Sequence, residues 1–255
     1  MKYVVGNYKM QLSTRETIAL VKGVLHGLSL DDVLPEIILC PTFTALPDVQ
    51  KLIKKTPLNL GAQNVASTGL GAHTGEVAAA QLVDVGCIYT LIGHSERRAA
   101  GETEAQVHAK IIEALAAGLT PIICVGETAG ERAADQTNAV ITRQITSALT
   151  DVKFPRKTPC IIAYEPVWAI GAASPATTAQ IIEAHSLIRR LLVSLGFTID
   201  NVAVLYGGSV NAENALAILR EREVDGVLVG GASLKIHEFS AIIKAGTEVM
   251  TAAKV

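Results

Sequence analysis

Glu165 is placed in this sequence where a carboxylate could act as a general base. It follows the short apolar run Cys160–Tyr164 and precedes Pro166. The run predicts a strand buried on both faces, and Pro166 ends its pairing because proline has no N–H to donate. Ligands of parallel α/β folds bind at the carboxyl ends of the strands, so Glu165 would stand where chemistry occurs. Its neighbours Tyr164 and Trp168 would shield the carboxylate and suit it to accept protons near neutral pH. The alternative is a strand-end glutamate in a surface salt bridge.

The segment after this glutamate has the composition of a lid. Val167–Ala176 combines one tryptophan with a run of small residues, Gly171-Ala172-Ala173-Ser174, before Pro175. Small residues suit the hinges of a closing loop. We therefore expect this segment to cover the site.

Two other predicted strand ends carry polar side chains that could act with the base. His94 follows the apolar run Tyr89–Ile92, and Ser95-Glu96 after it resembles a helix start, whose dipole disfavours an imidazolium. A neutral His94 could donate a hydrogen bond to a carbonyl oxygen. Asn7 and Lys9 follow the first strand, where a cation could hold a phosphate or an enediolate oxygen. The alternatives are a structural histidine and an ordinary surface lysine.

Glycine pairs follow the seventh and eighth predicted strands. They are Gly207-Gly208, directly before Ser209, and Gly230-Gly231. Glycine lets a backbone approach an anion closely, and barrel enzymes bind phosphate at these two strand ends. Base, neutral donor, cation and phosphate cradle together predict proton abstraction next to a carbonyl of a small phosphorylated substrate, with aldose–ketose isomerisation as the natural outcome. The stretch Gly69–Gly75 lacks the last glycine of a dinucleotide fingerprint and predicts a projecting loop.

Eight strands and eight helices alternate along the chain and would position these groups. The predicted strands are Tyr3–Val5, Ile37–Cys40, Leu58–Leu60, Tyr89–Ile92, Pro121–Val125, Cys160–Tyr164, Val202–Leu205 and Val227–Val229. The predicted helices are Thr14–His26, Leu46–Lys54, Val77–Val85, Glu104–Ala117, Asn138–Leu149, Thr177–Leu195, Ala212–Arg220 and Ile236–Ala252. Thr103 to Gln106 resembles a capping box, and Gly118 suits the end of that helix. Strict alternation implies parallel strands, so we predict an α/β fold with residues 1–255 in a single (β/α)8 barrel.

Composition narrows the possible partners. The chain has 255 residues, 49% of them hydrophobic, and a formal net charge of −2, which gives no basic field for nucleic acid or an anionic membrane. No apolar run is long enough to span a membrane, and the N-terminus lacks the apolar core of a signal peptide. The four cysteines, at positions 40, 87, 124 and 160, show no metal-ligand spacing and are expected to be buried in a reducing compartment, by default the cytoplasm.

Motifs along essentially the whole chain resemble the triosephosphate isomerase family. The matching motifs, in order, are Gly6–Met10, Gly61–Asn64, Thr74–Glu76, Ile92–Arg98, Ile123–Thr128, Ala163–Gly171, Tyr206–Val210 and Gly230–Leu234. The resemblance implies a TIM barrel that interconverts dihydroxyacetone phosphate and glyceraldehyde 3-phosphate through an enediolate, with no metal and no cofactor.

The resemblance also implies individual roles. Glu165 would be the base and His94 the electrophile, while Lys9 and Asn7 would stabilise negative charge and Glu96 would support the site from behind. The phosphate would be held by backbone N–H groups of Gly171, Ser209, Gly230 and Gly231. The family is usually dimeric, so the loop from Gln63 to Glu76 would reach a second copy and place Thr74 near its lysine and histidine.

Several positions depart from the family pattern. The far hinge of the lid is Ala172-Ala173-Ser174 instead of Thr-Gly-Lys, and the segment Ala99-Ala100-Gly101 is one residue shorter than usual and lacks an aromatic residue. His73 replaces an aromatic residue, Tyr8 a tryptophan and Gln11 an asparagine. These changes leave two alternatives open: an isomerase of another short ketose phosphate such as a tetrulose phosphate, and a non-catalytic sensor of phosphorylated ligands.

Overall fold

Eight parallel strands close into a barrel in the computed structural model, which describes residues 1–29, 32–171 and 175–252. The strands are β1 (Tyr3–Asn7), β2 (Glu36–Cys40), β3 (Leu58–Ala62), β4 (Tyr89–Ile92), β5 (Thr120–Val125), β6 (Cys160–Tyr164), β7 (Val202–Tyr206) and β8 (Gly226–Val229). Each pairs with its neighbours in chain order, and β8 closes the barrel by pairing with β1. The α/β barrel prediction is confirmed.

Helices follow the strands on the outside of the barrel. They are α1 (Thr14–His26), α2 (Leu46–Ile53), α3 (Ala79–Val85), α4 (Ser95–Ala99), α5 (Glu104–Ala117), α6 (Ala129–Ala133), α7 (Thr137–Leu149), α8 (Thr178–Ser194), α9 (Ala215–Arg220) and α10 (Ile236–Ala252). All eight predicted helices are present. The short helices α4 and α6 are additional, although the start of α4 had a recognisable signal in Ser95-Glu96.

Helix ends follow local side-chain chemistry. Thr103 and Gln106 form a capping box at the start of α5, and Gly118 ends that helix in the left-handed region with φ 89°, as predicted. The prediction for α9 began too early, at Ala212. The Asn211 side chain accepts the N–H groups of residues 213 and 214 there, and this turn delays the helix until Ala215.

The strands divide their side chains between two apolar layers. Twelve strand residues fill the inside of the barrel: Val5, Ile38, Cys40, Tyr89, Leu91, Ile122, Cys124, Ile161, Ala163, Ala203, Leu205 and Leu228. Side chains on the other strand faces pack against the helices in a second, larger layer. All four cysteines are buried and unpaired, as predicted. Among the described residues, no helix has the length and apolar character that crossing a bilayer requires.

Candidate active site

Glu165 and His94 contact each other at the carboxyl end of the barrel. His94 Nε2 lies 3.0 Å from Glu165 Oε1, and the Ser95 N–H donates to Glu165 Oε2 at 3.1 Å. Both side chains are buried, with 3% of Glu165 and 5% of His94 exposed. The Glu165 N–H donates to the Val125 carbonyl at 2.7 Å, which fixes the glutamate just beyond the end of β6. Each carboxylate oxygen therefore has one partner at the mouth of the cavity.

His94 is the N-cap of α4 and is held by the backbone of that helix. Its Nδ1 accepts the N–H of Glu96 at 3.2 Å, which places the proton of a neutral ring on Nε2, facing Glu165. Burial lowers the pKa of His94, but the negative charges of Glu165 and Glu96 outweigh burial and raise the pKa above its ordinary value. The sequence-based expectation considered only the helix start and missed the effect of Glu165. The Glu96 N–H opposes protonation at Nδ1, because the second ring proton would point at it.

Lys9 adopts a backbone conformation that side chains disfavour. Its φ is 53°, in the left-handed region, which costs a non-glycine residue on the order of 1–2 kcal/mol. Its N–H donates to Asn7 Oδ1 at 3.0 Å, and its carbonyl accepts from Gln63 Nε2 at 2.8 Å. Gln63 Nε2 also donates to the Cys40 carbonyl at 2.9 Å. The ends of β1, β2 and β3 thus hold Lys9 together in the orientation that brings its side chain to the cavity.

Glu96 connects the lysine with the histidine. Lys9 Nζ lies 2.6 Å from Glu96 Oε1, while the Glu96 N–H contacts His94 as described above. The Glu96 side chain is 58% exposed, so this ion pair contributes little to the stability of the fold. Its consequence is geometric, because it directs the ammonium group of Lys9 toward the histidine side of the cavity.

One cavity of about 390 Å³ collects the residues predicted to act on a substrate and to hold its phosphate. Its lining includes Asn7, Lys9, His94, Glu165, Gly171, Ser209, Gly230 and Gly231. The glycines after β7 and β8 line one part of the cavity, together with Lys235, whose positive charge favours an anion. The cavity therefore joins a region suited to a phosphate with a region that contains the carboxylate of Glu165 and the side chains of His94 and Lys9.

Two glycines are required by the position of Glu165. A Cβ atom on Gly207 would lie 2.8 Å from Glu165 Cγ, and one on Gly126 would lie 1.9 Å from the Glu165 carbonyl oxygen. Neither distance is compatible with an unshifted neighbour. Gly207 therefore makes room for the Glu165 side chain. The sequence analysis linked this glycine only to phosphate binding and missed this contact.

A buried carboxylate beneath the lid was also missed. Glu127 is 0% exposed and accepts from Arg132 Nη1 at 2.9 Å, from Trp168 Nε1 at 2.8 Å and from the Tyr164 hydroxyl at 3.1 Å. The Arg132 guanidinium also lies over the Trp168 ring, 4.5 Å from its centroid. Trp168 belongs to the short 3-10 turn Val167–Ala169, so this network anchors the near end of the lid. The only sequence signal was the presence of Glu127 in a family motif.

The lid itself is described as far as Gly171. That residue has φ 64°, which suits a hinge because glycine adopts this conformation without strain. The far hinge, Ala172-Ala173-Ser174, lies outside the described residues.

The loop predicted to contact a second copy projects from the barrel. Thr74 and the other residues from Thr68 to Glu76 are exposed, and Leu70 is 72% exposed. Thr74 does not line the catalytic cavity of its own chain. Gln63, predicted to belong to the same contact, lies at the base of the loop, where it holds Lys9.

Comparisons with known proteins agree with this geometry. The family model of triosephosphate isomerase matches residues 2–246. The triosephosphate isomerase of Magnetococcus marinus is 44% identical over 245 residues, covering 94% of this chain and 96% of that protein, and the one from Chloroflexus aurantiacus is 45% identical over 244 residues, covering 94% and 97%. The crystal structure of triosephosphate isomerase from Bartonella henselae superposes with a TM-score of 0.84 at 34% identity, covering 96% of this chain and 98% of that one.

Proposed function

The chain belongs to the triosephosphate isomerase family and is an aldose–ketose isomerase, and from this premise we propose that Glu165, His94, Lys9 and Asn7 carry out the reaction. The reaction is the interconversion of dihydroxyacetone phosphate and glyceraldehyde 3-phosphate. The observation that carries the assignment is the 3.0 Å contact between Glu165 and His94 in a cavity that also contains Lys9 and both glycine turns. The similarities do not favour the four-carbon alternative.

Glu165 takes the proton from the substrate carbon next to the carbonyl. Its oxygens now accept from His94 and from the Ser95 N–H, so substrate entry exchanges at least one of these donors for the C–H to be broken. A single carboxylate can return the proton to the adjacent carbon of the enediolate. This accounts for an isomerisation in which the substrate is neither oxidised nor reduced overall.

His94 donates from Nε2 to the substrate oxygens. While Glu165 is ionised, its charge helps to raise the pKa of His94. When Glu165 becomes a neutral carboxylic acid, that charge disappears, and burial then favours the neutral ring. The Glu96 N–H keeps Nδ1 as an acceptor throughout, so the ring presents the N–H at Nε2 to the developing oxyanion.

Lys9 and Asn7 stabilise the negative charge of the enediolate. The backbone of Lys9 is already fixed by Asn7 and Gln63, so little reorganisation is required when charge develops. Backbone N–H groups of Gly171, Ser209, Gly230 and Gly231 hold the phosphate on the opposite side of the cavity. This division lets the phosphate orient the three-carbon chain toward the base.

Steady-state kinetics with purified protein test this proposal. The wild type should convert glyceraldehyde 3-phosphate with a higher kcat/KM than a tetrulose phosphate, and Glu165→Gln should lower kcat by about 10²–10⁴-fold with a similar KM. The exposed pair Arg220 and Glu248 offers a control, since Glu248→Gln makes the same chemical change far from the cavity. A Glu165→Gln variant with full activity would refute the role of the base. Ligand binding without turnover by the wild type would favour a sensor.

The projecting loop described above is the basis for proposing a homodimer. We infer that the loop from Gln63 to Glu76 inserts into a second copy, because its tip is exposed and carries Leu70, and because a groove of about 530 Å³ beside Lys9 is lined by the apolar Met10 and Phe43. Light scattering should give twice the monomer mass of 26.8 kDa. Leu70→Asp should shift the protein toward monomer, and an unchanged mass for that variant would contradict this interface.

The reaction and the buried thiols together indicate where in the cell the protein acts. We propose that the chain functions as one domain in the cytoplasm, in glycolysis and gluconeogenesis, with a phosphorylated sugar as its partner and without nucleic acid or membrane. The four buried, unpaired thiols suit a reducing compartment. Fractionation of cells that express a tagged chain checks the location, and recovery in a membrane or secreted fraction would contradict it.

A further inference from the structure

Arg98 joins the ends of two neighbouring strands behind the reacting pair. Its Nε donates to the Gly93 carbonyl at 2.7 Å, and its Nη2 donates to the Cys124 carbonyl at 3.3 Å. The ladder between β4 and β5 ends at the pair Ile92 and Ile123, so the two bound carbonyls belong to the next residue on each strand. The guanidinium group therefore extends the connection between the strands by one residue, with side-chain donors in place of backbone N–H groups.

The chain path explains why a side chain is needed here. Gly93 turns β4 away from the sheet with φ 71°, so the backbone no longer offers a regular strand partner. Arg98 is itself fixed, because its Nη1 lies 2.9 Å from Glu104 Oε2 and its side chain is only 14% exposed. A planar guanidinium can donate to both carbonyls while its positive charge lies beside Glu104, whereas a lysine ammonium cannot match that fixed geometry.

Each bound carbonyl immediately precedes a residue that positions the chemistry. His94 follows Gly93. Val125 follows Cys124, and its carbonyl accepts the N–H of Glu165 at 2.7 Å. We propose that Arg98 is a positioning residue of the isomerisation, which sets the separation of His94 and Glu165 without touching either side chain or the substrate. The expected change in kcat rests on the proposed function. The expected change in the titration of the His94 ring rests only on the geometry of His94 and Glu165 and does not require turnover.

Substitution at Arg98 should separate positioning from phosphate binding. We expect kcat to fall by about 10²-fold in Arg98→Met and by about tenfold in Arg98→Lys, because small displacements of reacting groups cost rates of this order. KM and competitive inhibition by inorganic phosphate should stay within about twofold, since the cradle lies after β7 and β8. Arg220→Met is the matched control, because it removes an arginine that pairs with a glutamate at 2.8 Å on the surface.

Chemical rescue distinguishes positioning from a general loss of structure. A second cavity of about 310 Å³ is lined by Arg98, Cys124 and Glu104, and it gives an added guanidinium ion access to the vacated position in Arg98→Ala. Guanidinium at low millimolar concentration should raise the kcat of Arg98→Ala at least tenfold, while an alkylammonium ion at the same concentration should leave it unchanged. If Arg98→Ala does not fold, the kcat of Arg98→Lys relative to Arg220→Met decides the question.

An NMR titration of the His94 ring provides the readout that does not depend on turnover. Moving the imidazole away from Glu165 removes a cause that raises its pKa, so the pKa should fall in Arg98→Met and remain unchanged in Arg220→Met. An inactive wild type would refute the proposed function alone, and this titration would still test Arg98. Unchanged kcat and ring titration in the Arg98 variants would overturn the inference. A parallel loss of phosphate inhibition, or the absence of rescue in a folded Arg98→Ala protein, would also overturn it.

Discussion

His185 should make the stability of this protein depend on pH below about 6.5. The imidazole is 0% exposed, and its Nδ1 contacts the Glu223 carbonyl at 2.9 Å. Within the described ranges 1–29, 32–171 and 175–252, its Nε2 has no hydrogen-bond partner. Since a carbonyl only accepts, Nδ1 carries the proton of the neutral ring and Nε2 is unprotonated. Burial lowers the pKa of His185 from 6.5 to about 4, with Arg189 and Lys2 adding to the decrease and the contact with the Glu223 carbonyl opposing it.

The sign of the effect follows from which state binds the proton first. Below about pH 6.5 the unfolded chain protonates this histidine, whereas the folded protein does not until about pH 4. The contribution of His185 to the free energy of unfolding is therefore complete above about pH 6.5 and is lost as the pH falls toward 4. At about 1.4 kcal/mol per pKa unit, the total loss is about 3 kcal/mol.

Urea unfolding at fixed protein concentration measures this contribution, and the single tryptophan provides the fluorescence signal. His185→Asn keeps an N–H donor for the Glu223 carbonyl but cannot titrate. The free energy of unfolding of the wild type minus that of the variant should decrease by about 3 kcal/mol between about pH 7.5 and about pH 4. A matched His237→Asn change at an exposed position should show no such decrease. Parallel pH profiles for wild type and His185→Asn would refute the reasoning.

Three further substitutions test contacts in and around the site. Gly207→Ala should lower kcat by about 10²-fold, because its Cβ would lie 2.8 Å from Glu165 Cγ and displace that side chain. Circular dichroism checks that the variant is folded, and an unchanged kcat would contradict the prediction. Trp168→Phe removes one donor to Glu127, which now lies at 2.8 Å, so a loss of about 1–3 kcal/mol is expected in urea unfolding. Because this variant lacks the single tryptophan, its unfolding and that of the wild type are followed by circular dichroism, and equal stability would argue against the anchor. Gln63→Leu removes both hydrogen bonds of the Nε2 group, one of which holds the strained backbone of Lys9, and should lower kcat/KM at least tenfold. A kcat/KM equal to that of the wild type would show that the Lys9 backbone does not need this support.

The strands could be predicted because a parallel barrel imposes a strong local pattern. Short apolar runs with a glycine or proline within the next two residues identified all eight strands, and their observed bounds differ by at most two residues. Short helices such as α6 are harder to predict, because five residues contain little more than one turn of periodicity. The capping pair Thr128 and Glu131 at its start was a usable signal.

The gathering of the candidate site residues in one cavity could be predicted from the strand ends, but several of their environments could not. The raised pKa of His94 depends on a carboxylate 71 positions away in sequence, and the anchor between Glu127 and Trp168 spans 41 positions. Such contacts arise because parallel pairing of β4, β5 and β6 brings chain segments that are distant in sequence to the same end of the barrel. Sequence patterns that report local periodicity therefore identify which residues meet at the barrel mouth, but not which pairs touch.

The burial of Glu165 also bears on the fate of an isotope label. Only 3% of this residue is exposed, and its oxygens contact His94 and the Ser95 N–H instead of open solvent. A deuteron taken from the substrate carbon would reside on a carboxyl group that exchanges with water only when the cavity opens. Part of the deuterium should therefore reappear on the neighbouring carbon of the product. The retained fraction would report how the rate of reprotonation compares with the rate of solvent access.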